Sequence, residues 1–144
     1  MNKALELLQM HIGQKLPHSP SPLMRWLDPR ILSVEEGSLM FEYEIRNEWL
    51  NPAGNLHGGI IAAIIDDTIG ATLFAMDDPF IYATINNAID YFGGSKEGQK
   101  IIAKTAVVKK GKQLINAQCE IWDNEQTRLL AKGYSNLYKT EYKK

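Results

Sequence analysis

The stretch Asn51-Pro-Ala-Gly54-Asn-Leu56-His57-Gly58-Gly59, followed nine residues after His57 by Asp66, gathers the residues of this chain best suited to chemistry. Each part also has a plain structural use: Asn51 to Gly54 as a turn, His57 as a helix-start residue, the glycines as packing. Together they offer more. Backbone N–H groups in a helix's first turn have no intrahelical partner, so those of Gly58 and Gly59 are expected to point at negative charge. Glycine also lets a ligand come close to the backbone. Such donors suit an oxyanion hole for a carbonyl, and a facing carboxylate can act on water as general base or attack the carbonyl itself. Donors plus a carboxylate, without a metal or a Ser or Cys nucleophile, fit hydrolysis of an activated acyl compound such as a thioester.

Asp66 follows Ile64-Ile65 in the middle of an apolar segment, where an unpaired carboxylate costs several kcal/mol or takes up a proton. Its neighbour Asp67 is expected to face solvent or a polar partner. The two sit about 100° apart around a helix, and periodicity alone does not choose between them. Spacing says more about His57 and Asp66. Nine residues turn a helix by about 900°, half a turn beyond two full ones, over a rise of about 13.5 Å. On one helix they cannot touch a common substrate atom. If they cooperate, the second group comes from another copy of the chain, and a two-fold dimer would then hold two equivalent shared sites.

The elements that must position these groups are legible in outline. Residues 58–76 run from Gly58-Gly59 through Ile-Ile-Ala-Ala-Ile-Ile to a stop before Pro79, with Asn55 as a plausible N-cap. Apolar residues all round this 19-residue helix, about 28 Å long, predict burial. Residues 38–46 alternate, with Leu39, Phe41, Tyr43 and Ile45 on one face, and Ile31 to Val34 is expected to pair with them through Glu35-Glu36-Gly37. Further strands are predicted near 80–92, 100–109, 113–122 and 127–138, separated by turn residues short enough for antiparallel pairing. Residues 2–12 read as a short amphipathic helix, and Pro17, Pro20 and Pro22 with Ser19 and Ser21 as a stiff connector. The implied architecture is α+β: one domain over residues 1–144, a curved antiparallel sheet of five to six strands wrapped around one long central helix.

Composition narrows the function classes. The 16 Lys and Arg against 17 Asp and Glu leave a net charge of −1, which argues against nucleic-acid binding. The longest apolar run, Ile60 to Ile65, is far short of a membrane span, and Glu6, Gln9 and His11 interrupt any signal-peptide core, so no membrane association and a cytoplasmic location are expected. The single Cys119 precludes an intrachain disulfide and shares strand parity with Ile115, Ala117 and Ile121, as a buried structural thiol would. Three dispersed histidines, His11, His18 and His57, give no support for a metal centre. Lys109-Lys110-Gly111-Lys112 reads as a solvated hairpin turn, or as a contact for phosphates, which lysine can meet as a point charge. Tyr91 and Phe92 read as core or as the lining of an apolar tunnel.

The motif Asn51-x-x-Gly54-x-Leu56-His57-Gly58-Gly59 with Asp66 resembles the signature of hotdog-fold acyl-CoA thioesterases of the phenylacetate-pathway (PaaI-like) branch. The resemblance extends over nearly the whole chain in its order of elements. It implies an acyl-CoA substrate and no cofactor beyond the coenzyme A that the substrate carries. It places the catalytic carboxylate on Asp66 and not Asp67, the oxyanion donor on the Gly58 N–H, and support for the thioester and leaving group on His57 and Asn51. A water-positioning hydroxyl falls on Thr84. Gly59, Tyr91, Lys109 and Lys112 are the further substrate contacts expected. The family's sites are shared between subunits, which agrees with the half-turn spacing, and a dimer or a dimer of dimers is implied. Two alternatives stand beside this reading: a hydroxyacyl-thioester dehydratase with His57 as base, and a non-catalytic acyl-CoA-binding module.

Overall fold

The computed structural model describes residues 2–144. Its elements are α1 (Lys3–Met10), α2 (Pro22–Leu27), β1 (Arg30–Glu35), β2 (Ser38–Glu44), α3 (Gly58–Phe74), β3 (Phe80–Tyr91), β4 (Lys100–Lys110), β5 (Leu114–Asp123) and β6 (Leu129–Lys143). A single turn of 3-10 helix at Asn47–Trp49 precedes the glycine-rich loop. The six strands form one antiparallel sheet in the order β1-β2-β4-β5-β6-β3, with α3 packed against it, as the α+β expectation requires.

The alternation in β2 sets one wall of the core. Leu39, Phe41, Tyr43 and Ile45 each keep 1% exposure or less, and each such side chain contributes roughly 1.5–3 kcal/mol by leaving water. α3 meets β2, β4, β5 and β6 through Ile61, Ile64, Ile65 and Ile69, all buried. Gly133 on β6 permits that approach: a Cβ there would stand 2.9 Å from Ile65 Cγ2 and 3.3 Å from Ile89. Polar groups on this face of α3 are all partnered. The hydroxyls of Tyr43 and Thr68 lie 3.0 Å apart, and those of Thr72 and Thr105 2.6 Å apart. Thr68 and Thr72 also donate back to the carbonyls of Ile64 and Thr68. A buried hydroxyl that bonds the carbonyl four residues earlier leaves no desolvated atom behind.

Some boundaries depart from the sequence expectation. The central helix ends at Phe74, two residues before the expected 76, because the Met76 N–H turns to the Leu73 carbonyl three residues back, at 3.1 Å, instead of continuing the four-residue ladder. The last strand runs on to Lys143 instead of stopping near 138, since β3 offers it partners as far as Phe80. The proline-rich connector hides a helix: α2 has Ser21 as N-cap, its Oγ accepting from Met24 N at 3.2 Å, and Pro22 at its first position. Pro suits that position because its missing N–H would lack a partner there anyway.

β3 stands at the sheet's edge, paired on one side only. Its pattern lacks alternation for that reason, and Ile81 and Ile85 are 45% and 55% exposed. A bulge at Ile85 interrupts its pairing with β6 between Thr84 and Asn86.

Candidate active site

Two groups of candidate residues lie along α3 and β3. The first is the helix start. The loop before it is closed by Asn51, whose Oδ1 accepts from the N–H groups of Ala53 and Asn55, each at 3.0 Å. Asn55 therefore lies inside the loop, and the N-cap of α3 is His57, not Asn55 as expected. His57 donates its own N–H to the Trp49 carbonyl at 2.8 Å, and its Nδ1 accepts from Gly59 N at 2.9 Å. That bond corrects the expectation for Gly59, whose N–H is engaged by the cap and does not face a ligand. The Gly58 N–H has no partner among the described residues and remains available. Because a backbone N–H can only donate, His57 Nδ1 is an acceptor here, which places the ring proton on Nε2.

Tyr91 belongs to this first group. Its hydroxyl donates to the Gly58 carbonyl at 3.1 Å, and a Cβ on Gly58 would lie 3.3 Å from the Tyr91 ring. Tyr91 and Phe92 are 51% and 61% exposed, so neither is core, contrary to one half of the expectation. The physical reason is the edge position of β3, which leaves this end uncovered within one chain.

The second group surrounds Asp66. Thr84 Oγ1 donates to Asp66 Oδ1 at 2.9 Å, and Asn87 Nδ2 donates to the same oxygen at 3.2 Å. Asn87 is oriented in turn by the Ser135 hydroxyl, which donates to its Oδ1. Asp66 Oδ2 has no hydrogen-bond partner among the described residues. Sequence reasoning singles out Asp66 and Thr84 but not Asn87 and Ser135, which the structure brings to the same carboxylate. On a regular strand residues 84 and 87 would face opposite sides; the bulge at Ile85 adds the extra step that turns both toward Asp66. Such a bulge leaves no signal in the sequence of one chain.

Geometry separates the two aspartates. Asp67 points to α2, where Ser21 Oγ donates to its Oδ1 at 3.4 Å, while its Oδ2 is buried with no partner. Burial pushes the Asp67 pKa up to about 6; the Ser21 bond opposes the rise and the nearby charge of Asp66 adds to it. The desolvated carboxylate of the helix is thus Asp67, whereas Asp66 is paired and accessible. Asp66 and Thr84 stand at the wall of a cavity of about 560 Å³ between α3 and the N-terminal segment.

Other candidates stand apart. Lys109 and Lys112 flank the β4–β5 turn, where Lys110 pairs with Asp78 at 3.9 Å. That is the C-terminal end of α3, a helix length of about 25 Å from Gly58, so one chain does not bring these lysines to the glycine turn. Cys119 is fully buried, and burial pushes its thiol pKa well up, as a structural residue. Among the described residues no helix is long and apolar enough to cross a membrane.

Comparison with known proteins accords with this arrangement. A model of the thioesterase superfamily matches residues 53–130. Human acyl-coenzyme A thioesterase 13 is 25% identical over 103 residues, covering 72% of this chain and 74% of that protein. Among solved structures, the E. coli PaaI protein of the phenylacetic acid degradation operon superposes with a TM-score of 0.84 at 17% identity, covering 99% of each chain. The smu.793 protein of Streptococcus mutans, solved with bound acetyl-CoA, gives a TM-score of 0.74 at 22% identity over 81% of this chain and 91% of that one.

Proposed function

The chain belongs to the thioesterase superfamily and is a thioester hydrolase, and from that premise we propose that it cleaves acyl-CoA at sites shared between two subunits, with Asp66 as general base. The observation that carries the reading is the pairing at Asp66: two donors fix Oδ1 and leave Oδ2 open beside a cavity. In this reading the thioester carbonyl sits at the start of one subunit's α3. The Gly58 N–H polarises it, and the His57 Nε2–H and the Asn51 amide lie on the side of the leaving group. Asp66 Oδ2 of the other subunit takes a proton from water held near Thr84. The water oxygen attacks the carbonyl carbon, and the oxyanion forms against the Gly58 N–H. Collapse breaks the C–S bond, and the sulfur leaves with the proton that Asp66 took from water, giving free CoA thiol and a carboxylic acid that ionises to the carboxylate. Lys109 and Lys112 are the proposed contacts for the CoA phosphates.

The edge strand supports the shared site. Tyr91 and Gly58 lie at one end of β3, and Thr84, Asn87 and Asp66 beside its middle. A second β3 paired antiparallel about a two-fold axis between them would set the helix start of one subunit near the Asp66 group of the other. It would also cover the row of unpaired N–H and C=O groups that an edge strand exposes. The dehydratase alternative loses support because His57 Nδ1 already accepts from Gly59, and a ring protonated on Nε2 offers a donor there and not a base.

Thiol release from a panel of acyl-CoA thioesters tests the reading. Asp66→Asn keeps the shape but removes the base, so kcat should fall on the order of 10²–10⁴-fold; turnover equal to the parent would refute the mechanism. Gly58→Pro removes the oxyanion donor at a helix position that accepts proline, the half-exposed Tyr91 ring yielding a few tenths of an ångström to the added carbon. Subunits of the two variants, mixed at equal amounts and allowed to exchange, should recover about a quarter of the parental activity, because half of the dimers are mixed and each mixed dimer has one intact site. No recovery despite exchange would mean that each site lies within one chain.

A further inference from the structure

We propose that the cavity between α3 and the N-terminal segment holds the acyl chain, and that residues before β1 set its length, selecting a medium-length aliphatic acyl group; this rests on the thioesterase reading above. Three observations carry it. The cavity begins at Asp66 and Thr84 and continues past Gly70 and Ala71 to Phe74, so it follows one face of α3 away from the reacting centre. Its opposite wall is the segment from Ala4 to Met24, which lies outside the stretch matched by the superfamily model. Three large apolar residues on its walls, Leu7, Leu23 and Phe74, are left 54%, 40% and 42% exposed, an arrangement that an apolar occupant would relieve.

Gly70 is the second sign of an occupant. It sits in the interior of α3, where glycine is about 1 kcal/mol worse than alanine. Nothing among the described residues requires it, because a Cβ at Gly70 would meet none of their atoms within 4 Å. The space that a side chain would fill is the cavity itself. A glycine there leaves the floor open one helical turn beyond Asp66.

The dimensions choose the class of acyl group. Eight residues separate Asp66 from Phe74, a rise of about 12 Å along the helix. A staggered alkyl chain advances about 1.3 Å per carbon, so the channel accommodates a chain of about eight to ten carbons. The volume, about 560 Å³, is in the range of pockets that enclose a small organic ligand and exceeds what an acetyl group needs.

The test is kcat/KM for straight-chain acyl-CoAs from two to sixteen carbons, measured on the full chain as parent, Gly70→Leu and Leu23→Trp, with thermal stability and assembly state followed in parallel. The parent should peak near eight to ten carbons. Gly70→Leu, which fills the floor and improves helix propensity, should melt no lower than the parent. It should lose about tenfold or more on octanoyl- and decanoyl-CoA while staying within about threefold on acetyl-CoA. Leu23→Trp fills the same space from the other wall and should shift the optimum in the same direction. Equal losses at every chain length overturn the assignment, as does a flat chain-length profile in an active parent. Dissociation of the Gly70→Leu assembly with uniform loss would instead assign the glycine to contact with a second copy. Absence of thiol release from any acyl-CoA by the parent would overturn the thioesterase reading itself, a different result from any of these.

Discussion

The two faces of α3 treat polar groups in opposite ways. Toward the sheet, Thr68 and Thr72 are buried and satisfied twice over, by carbonyls of their own helix and by Tyr43 and Thr105. Toward the N-terminal segment and β3, Gly58 N–H, Asp66 Oδ2 and Asp67 Oδ2 are left without partners, and Gly70 leaves space unfilled. A buried polar group that is paired stabilises the fold, whereas one left open is a group held ready for something else. On the proposed mechanism the helix separates stability from chemistry by face, within a single element of 17 residues.

That division can be broken by experiment. The largest contrast is expected from Asp66→Asn, which should cost the activity described above yet leave Tm within a few degrees, since Asn still accepts from Thr84. A large fall in Tm would show that the open face also holds the fold together. On the sealed face the signs reverse. Thr68→Val leaves the Tyr43 hydroxyl buried without its partner and should destabilise by about 1–3 kcal/mol, with kcat unchanged on the folded fraction; chemical denaturation measures it. Asn87→Ala sharpens the comparison further. Removing one of two donors to Asp66 Oδ1 should lower kcat about tenfold with KM little changed, because on the proposed mechanism Asn87 positions the base without touching substrate.

Asp67 supplies the smallest effect and the one with a pH signature. Its folded pKa of about 6 lies above the ordinary carboxyl value of 3.8, so between these the folded chain holds more protons than the unfolded one. Stability from this group is therefore present at low pH and lost as pH rises through about 4 to 6. Asp67→Asn, which can still accept from Ser21, should remove that slope and stabilise the protein at pH 7 by roughly 1 kcal/mol after allowance for partial solvent access. A Tm difference between variant and parent that did not widen from pH 4 to pH 7 would contradict it.

Much of this was legible from residue order because local pattern and global fold agree there. The alternation of Leu39, Phe41, Tyr43 and Ile45 predicts a strand with one buried face, and each of the four is buried. The all-round apolar segment from Gly58 predicts the central helix, and the half-turn between His57 and Asp66 separates two parts that the structure also keeps apart. What escaped depends on contacts far along the chain. The Ser135–Asn87–Asp66 relay needs both the bulge in β3 and the register of β6. The loss of Gly59 as a donor needs the rotamer of His57. α2 was within reach, for Ser21-Pro22 is an N-cap followed by proline at the first helical position, but six residues gave too little periodicity to show beside three prolines.

The bulge at Ile85 lets β3 act as a ruler. The number of residues from Thr84 to Tyr91 fixes how far the base lies from the helix start along the strand, and a symmetric partner would read the same distance in reverse. Side chains of this stretch other than Thr84, Asn87 and Tyr91 can vary in identity while the site survives. Its length cannot: one residue inserted or deleted between Thr84 and Asn87 would turn Asn87 away from Asp66, and one between Asn87 and Tyr91 would put the two subunits of the proposed dimer out of step at both sites. Tolerance to changes in length should therefore fall abruptly where the chain enters this stretch of β3.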